Sequence, residues 1–322
     1  MPCGGSVFRI HAIKMTDLKL FCAPVQGHTD HAYRMIHSEV YGPADAYFTP
    51  FIRVEKGELR RRDVADFTAS REAGLPVVAQ VIFRNADELN ILLSGLTAAG
   101  ADEIDLNMGC PFPLQTARGR GAATIGNRKL MEDVKRCVAA FPDVRFSMKI
   151  RLGMTSPDEW RETIDIINRL PLTHLTVHPR VARQQYGGTP DMDAFRSIFT
   201  EARVPVVYNG DLRTPADAAD TDGAFPGLEG LMFGRGLLGR PSLLQEIREG
   251  EEMAHEERVE RMMDFHSRLF DHYSALLCGE SQVLSKIKPF WEYAEEEIGR
   301  KPWKAIRKAG TMPKYLSAVA TI

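Results

Sequence analysis

The feature that most constrains this chain is an alternation. Between residues 19 and 245, short apolar runs alternate eight times with longer amphipathic ones. Strands are expected at 18–23, 45–48, 75–82, 103–106, 144–150, 174–177, 204–208 and 228–233. Helical periodicity falls between most of them, at 29–40, 86–99, 129–140, 156–169, near 192–200 and from Thr214 onward. Thr29 or Asp30 can cap the first helix, Ser156 with Glu159 reads as a capping box, and Pro215 suits a first helical position. Eight β–α units in this span predict a (β/α)8 TIM barrel, a fold of about 250 residues. The rival is a doubly wound open sheet, which usually carries a glycine-rich phosphate turn after its first strand. Here that turn reads Ala23-Pro24-Val25-Gln26-Gly27, so the barrel is preferred.

Beyond residue 245 only helical patterns remain, near 252–277, 281–297 and 302–318. They predict a small all-helical domain over 246–322. It begins acidic, with Glu249, Glu251, Glu252, Glu256, Glu257 and Glu260, and ends basic. Residues 300–314 hold Arg300, Lys301, Lys304, Arg307, Lys308 and Lys314, with Trp303 among them and no acid. Residues 1–18 read as a mobile N-terminal extension without function, with Met15 as a candidate start.

Composition excludes some classes. No stretch approaches the roughly 20 apolar residues a membrane helix needs. With 41 basic and 43 acidic side chains the net charge is −2, which argues against a uniformly basic coat protein but leaves room for local basic patches. Arg60-Arg61-Arg62, Arg118, Arg120, Arg128 and Lys129 are candidates. The five cysteines form no CxxC pair, so neither a zinc ribbon nor a disulfide framework is expected, and a reducing, cytoplasmic setting fits. No metal-ligand spacing stands out.

In a barrel, function sits at the C-terminal ends of the strands. There the sequence places Pro24-Val25-Gln26, Gln80, Asn107-Met108-Gly109-Cys110-Pro111, Lys149-Ile150-Arg151, His178-Pro179-Arg180, Asn209-Gly210-Asp211 and Gly234-Arg235-Gly236. The last two stand where barrels commonly hold a phosphate, with Arg235 adding a charged fork. Either could instead be a plain turn. Lys149 is costly to bury unless it meets an anion or an electron-rich cofactor atom. Cys110, on a stiff Gly-Cys-Pro turn, is a candidate acid or nucleophile, whereas Cys22, Cys137 and Cys278 read as small buried residues.

Together these segments resemble the tRNA-dihydrouridine synthases over residues 19 to 310. The resemblance is carried by Ala23-Pro24-Val25-Gln26-Gly27 with Thr29-Asp30 and Arg34, and by Asp105-Leu106-Asn107-Met108-Gly109-Cys110-Pro111. Gly121-Ala122-Ala123, Lys149-Ile150-Arg151-Leu152-Gly153, Thr176-Val177-His178, Asn209-Gly210-Asp211-Leu212 and Gly234-Arg235-Gly236 complete it. It implies non-covalent FMN, reduction by NADPH or NADH, and hydride transfer to C6 of a uridine flipped out of tRNA, with Cys110 protonating C5. By position, Pro24, Val25, Gln26, Gln80, Lys149, His178, Asn209, Gly210, Asp211, Gly234 and Arg235 would contact FMN. Asn107 and Arg180 would lie near the base. Lys304 and Arg307 would hold the RNA backbone. A monomer without metal is expected. The chain departs from the family at Gln80-Val81-Ile82-Phe83, where a glycine is usual, and at His178-Pro179-Arg180-Val181, where His-Gly-Arg-Thr is usual. Three other readings remain: a flavin barrel acting on a free pyrimidine or enone, the same reaction on ribosomal RNA, and a non-catalytic RNA-binding barrel.

Overall fold

A computed structural model describes residues 18–322. The expectations for residues 1–17, including a start at Met15, lie outside the described residues. Eight parallel strands close into a barrel: β1 (Lys19–Cys22), β2 (Ala46–Phe48), β3 (Val77–Val81), β4 (Glu103–Met108), β5 (Arg145–Gly153), β6 (Leu172–Val181), β7 (Val206–Tyr208) and β8 (Gly230–Phe233). Sequence neighbours pair in turn, and β8 closes on β1 with Lys19 opposite Gly230 and Cys22 opposite Phe233. All eight expected strands are present. β5 and β6 run further than their apolar stretches, because polar residues continue the inward alternation past Ile150 and Val177.

The period-2 alternation sorts each strand into two faces. Outward residues such as Leu20, Ile104, Met148, Val177 and Leu231 join the main core beneath the helices. Inward residues fill the lumen. On one side Phe21, Ala23, Ala46, Phe48, Val78, Val207 and Met232 form a separate apolar cluster. On the other stand Asp105, Ser147 and Thr176, all buried, leading up to the mouth, while the buried His174 bridges the two sides, stacked on Phe21 at 5.2 Å.

Asp30 caps the first helix, His31–Tyr41, accepting from the Tyr33 N–H at 3.1 Å. Thr214 and Asp217 form a reciprocal capping box on Pro215–Ala224. Three expectations are corrected. The 156–169 helix is two short pieces, a 3-10 turn Glu159–Glu162 and Ile164–Ile167. Glu159 accepts from the N–H groups of Met154, Thr155 and Ser156, fastening the preceding loop instead of completing a box with the Ser156 hydroxyl. Between β2 and β3 lie a small hairpin, Val54–Glu55 with Glu58–Leu59, and a helix, Arg61–Glu72. That helix buries only Phe67 and Ser70, so it offers no apolar stripe to read. The C-terminal region holds more, shorter helices than three: His255–Leu276, Glu280–Ile287, Glu295–Ile298, Arg300–Lys308 and Met312–Val319. Pro289 turns the second into 3-10 geometry, and Gly299, with φ 79°, separates the third and fourth.

The expected boundary at 245 falls inside a helix, Leu243–Glu249. The helical region packs on the first barrel helix, with the Phe265 ring against Tyr33, His37 and Tyr41. Asp30 also receives the Tyr273 hydroxyl at 3.0 Å and the Lys286 ammonium at 2.5 Å, so one helix cap doubles as a docking point. No described helix is long and apolar enough to cross a membrane.

Candidate active site

The C-terminal ends of the strands enclose a cleft of about 460 Å³. Its wall includes Pro24, Val25, Gln26, Gln80, Asn107, Cys110, Lys149, His178, Asn209, Gly210, Asp211, Gly234 and Arg235. With Phe51 after β2, residues at or just beyond the C-terminal ends of all eight strands therefore meet at one mouth. Arg180 does not line the cleft: it is fully buried behind His178. Lys304 and Arg307 do not line it either. Both are exposed on Arg300–Lys308, with the Arg307 guanidinium 4.5 Å from the centre of the Trp303 ring.

Each side chain is held from behind. The Lys149 ammonium donates to Asn209 Oδ1 at 2.7 Å, and Asn209 Nδ2 donates to the Met232 carbonyl at 2.7 Å. Burial, reinforced by the Arg151 charge, pulls the Lys149 pKa down from 10.5 to about 7. Burial likewise lowers Arg151 to about 10. His178 is held well below the usual histidine range by burial and by the surrounding Arg151, Lys149, Arg180 and Arg235. It is therefore a neutral acceptor, and Arg180 donates to its Nε2 at 3.0 Å. Asp211, in the left-handed region at φ 45°, is shared by Arg180 and Arg235, the latter at 2.7 Å. Burial opposes its ionisation, but Arg180 and then Arg235 outweigh this and hold its pKa below the usual aspartate value.

Cys110 sits at the cleft wall. Burial pushes its thiol up, only partly offset by a backbone hydrogen bond from Phe112 and by Arg151 and Lys149. A raised thiol is a reservoir of a proton rather than a ready nucleophile. Its loop is tightly held. A Cβ on Gly109 would come within 3.0 Å of the Ile150 carbonyl carbon, and one on Gly121 within 2.5 Å of the Cys110 carbonyl oxygen. Of the other cysteines, Cys22 and Cys137 are buried as expected, but Cys278 is exposed, lying just beyond the end of His255–Leu276.

Gly234-Arg235-Gly236 is the start of a short helix, Arg235–Gly239, rather than a free turn. Any Cβ on Gly236 would collide with the Leu212 carbonyl oxygen, so the loops after β7 and β8 pack backbone to backbone. Because Asp211 is already shared with Arg180, Arg235 retains positive charge beside the cleft. Amides, arginine and lysine together form a donor set suited to an anionic, hydrogen-bonding cofactor.

Sequence reasoning placed Arg151 at the mouth without giving it a role, and missed several other cleft residues. Arg151 lines the cleft because β5 alternates Ser147, Lys149, Arg151 inward, and that period was the available signal. Tyr186 lies between two guanidinium groups, with Arg151 at 5.4 Å and Arg235 at 4.5 Å from its ring centre, and is 53% exposed. Phe51, His28, Phe112 and Tyr293 also line the wall. Tyr293 reaches in from the helical region, next to Glu292, which meets the His28 Nε2 at 2.9 Å. Their positions depend on loops and long-range packing that carry no local pattern.

The sequence profile of the family described as Dihydrouridine synthase (Dus) matches residues 21–317. The chain is 30% identical over 329 residues to tRNA-dihydrouridine synthase B of Yersinia pestis, covering 96% of this chain and 98% of that protein. It is 30% identical over 270 residues to tRNA-dihydrouridine synthase B of Shewanella oneidensis, covering 79% and 81%. Among solved structures, the old yellow enzyme homologue of Zymomonas mobilis superposes with a TM-score of 0.56 at 12% identity, covering 73% of this chain and 90% of that one. Morphinone reductase superposes with a TM-score of 0.53 at 11% identity, covering 73% and 86%, and both likenesses are ones of fold. With its profile spanning nearly all of the described residues, the chain belongs to the dihydrouridine synthase family.

Proposed function

We propose that the protein is a tRNA-dihydrouridine synthase, reducing the C5–C6 double bond of specific uridines in tRNA with FMN as cofactor and NADPH or NADH as reductant. The observation that carries this is the meeting of a protonated Cys110, Lys149 and the Gly210–Gly234–Arg235 donor set on one cleft. The cleft fits the cofactor: the loops at Gly210 and Gly234 and the side chains of Lys149 and Arg235 line it with hydrogen-bond donors and positive charge. Gln80, Lys149, Asn209, Gly210, Gly234 and Arg235, with Pro24, Val25 and Gln26, would hold it. Once reduced, FMN would supply the hydride for uracil C6.

The chain's own residues do the rest. The C4 carbonyl polarises the double bond, so the carbanion-like character develops at C5 and an acid is needed there. The Cys110 Sγ holds that proton because burial disfavours its loss. Asn107 lies beside Cys110 on the wall; its Oδ1 and one Nδ2 hydrogen are already paired within the protein, leaving one amide hydrogen for the base edge. His178, kept neutral, is fixed by Arg180, which positions rather than touches. The barrel, through the helix Leu243–Glu249, forms the catalytic unit and the helices from His255 onward the RNA-docking unit, with Lys304 and Arg307 meeting phosphates. The protein acts as a cytoplasmic monomer.

The test is direct: incubate the holoprotein with NADPH and tRNA lacking dihydrouridine, then analyse the nucleosides by mass spectrometry. Dihydrouridine should appear with the parent protein and not with Cys110→Ala, which retains FMN. Turnover of a free pyrimidine or of ribosomal RNA, with tRNA untouched, would overturn the substrate assignment.

A further inference from the structure

We propose that Asp105 is a positioning residue that sets the polarity of a buried amide relay ending on the Cys110 loop. The relay runs from the lumen to the mouth. Ser147 Oγ donates to Asp105 Oδ1 at 2.7 Å, and Gln80 Nε2 donates to Asp105 Oδ2 at 2.7 Å. Asn107 Nδ2 donates to Gln80 Oε1 at 2.7 Å. Asn107 Oδ1 then accepts from the N–H groups of Gly109 at 3.1 Å and Cys110 at 2.9 Å. Asp105, Ser147 and Gln80 are fully buried and Asn107 is nearly so, which keeps competing water out.

The two ends of this relay have fixed character. The Gly109 and Cys110 N–H groups can only donate; burial raises the Asp105 pKa against the hydrogen bonds from Ser147 and Gln80 and the Lys149 charge, and above that pKa its ionised carboxylate can only accept. Each intervening amide passes the direction on, because its oxygen and nitrogen face opposite ways. Two amides between an acceptor and a pair of donors satisfy every group in one orientation. Reversing either amide sets oxygen against oxygen or N–H against N–H in a site where unpaired groups are costly. Asp105 thus orients Gln80 and Asn107, two residues of the cleft wall, and through them fastens the loop that carries Cys110. The consequence for proton donation rests on the proposed role of Cys110; the relay itself does not.

Polarity also provides the test, because two isosteric substitutions should cancel. In Asn107→Asp, an acceptor faces Gln80 Oε1. If Gln80 turns, its oxygen meets the Asp105 carboxylate. In the double variant D105N/N107D the relay runs in reverse. The carboxylate introduced at position 107 accepts from Gln80 Nε2, and Gln80 Oε1 accepts from the amide nitrogen introduced at position 105. Ser147 still donates to the amide oxygen at position 105. The Gly109 and Cys110 N–H groups stay paired in that arrangement. The measurement is hydrogen–deuterium exchange of the full-length protein at about pH 8, comparing residues 108–112 with strand β5. N107D should speed exchange in 108–112 about tenfold or more with β5 unchanged, and D105N/N107D should return it close to the parent rate. If N107D cannot be purified while the swap folds, the rescue supports the relay equally. Unaltered exchange in N107D, or a double variant no better than N107D, would overturn the proposal. Exchange is read without substrate or turnover, so a failed relay and a failed assignment of activity are told apart.

Discussion

The two sides of the barrel lumen do opposite things. On the β8–β1–β2 side the inward residues are Met232, Phe21, Ala46 and Phe48, a dry cluster with Phe21 and Phe48 edge to face at 5.7 Å. On the β4–β6 side the same alternation places Asp105, Ser147 and Thr176 inside, then Asn107, Lys149, Arg151 and His178 above them. The backbone is alike on both sides, so the difference lies in what the inward positions carry. The apolar side stabilises the barrel by burial. The polar side places hydrogen-bonded and charged groups where they can address a ligand, and it accepts destabilisation in return. Thr176 Oγ1 and His174 Nε2 are buried without a protein partner among the described residues, and Lys149 loses much of its basicity.

Substitutions should separate these roles. The largest effect is expected from Cys110→Ala, which removes the proposed acid and should lower dihydrouridine formation by about 10²–10⁴-fold while flavin absorbance of the purified protein is kept. Phe48→Ala on the dry side should cost about 3–5 kcal/mol of unfolding free energy in denaturant titration. It should leave alkylation of Cys110 unchanged under native conditions; a large change in Cys110 reactivity would mean that the two sides are not independent. Charge reversal at Lys304 and Arg307 should weaken tRNA binding by about tenfold or more at low salt and flatten its salt dependence, with NADPH oxidation intact. Equal loss of both would join the helical surface to the cleft.

The smallest effect is a matter of pH. Lys149 has a folded pKa of about 7 against 10.5 unfolded, so the folded state holds its proton less tightly. The resulting penalty is fully present below pH 7 and is relieved as pH rises toward 10.5. Lys149→Met, without that penalty, should melt a few degrees higher than the parent in the cofactor-free form near pH 6. The advantage should shrink as pH increases toward about 9.5. A constant difference across that range would show that Lys149 is not held against its charge.

Much of this was legible in the residues, for identifiable reasons. The eight strands announce themselves because buried parallel strands are apolar runs, and the polar residues that end them stand out against that background. Hence all the expected cofactor-binding residues line the cleft, with Asn107 and Cys110. Arg151 stands at the strand end in the sequence but gets no role there, because the apolar run of β5 stops at Ile150 while the inward alternation continues. The motif puts Arg180 near the base, whereas it continues the inward face of β6 and is consumed by Asp211, His178 and the carbonyls of Gly187 and Gly188. Tyr186 sits in a segment without periodicity, and its position beside Arg151 and Arg235 comes from three-dimensional packing. Helix 156–169 breaks because Glu159 takes the N–H groups of Met154 and Thr155 besides that of Ser156, while the Ser156 hydroxyl accepts from Asp158 instead of Glu159.

On the proposed function, the polar side of the lumen passes electrons to a uridine in tRNA. The measurement that tests it most directly is anaerobic. The holoprotein is reduced with NADPH until the flavin bleaches, and tRNA lacking dihydrouridine is then added. The flavin colour should return promptly with that tRNA and little with fully modified tRNA. A flavin that bleaches and stays bleached with both would contradict it.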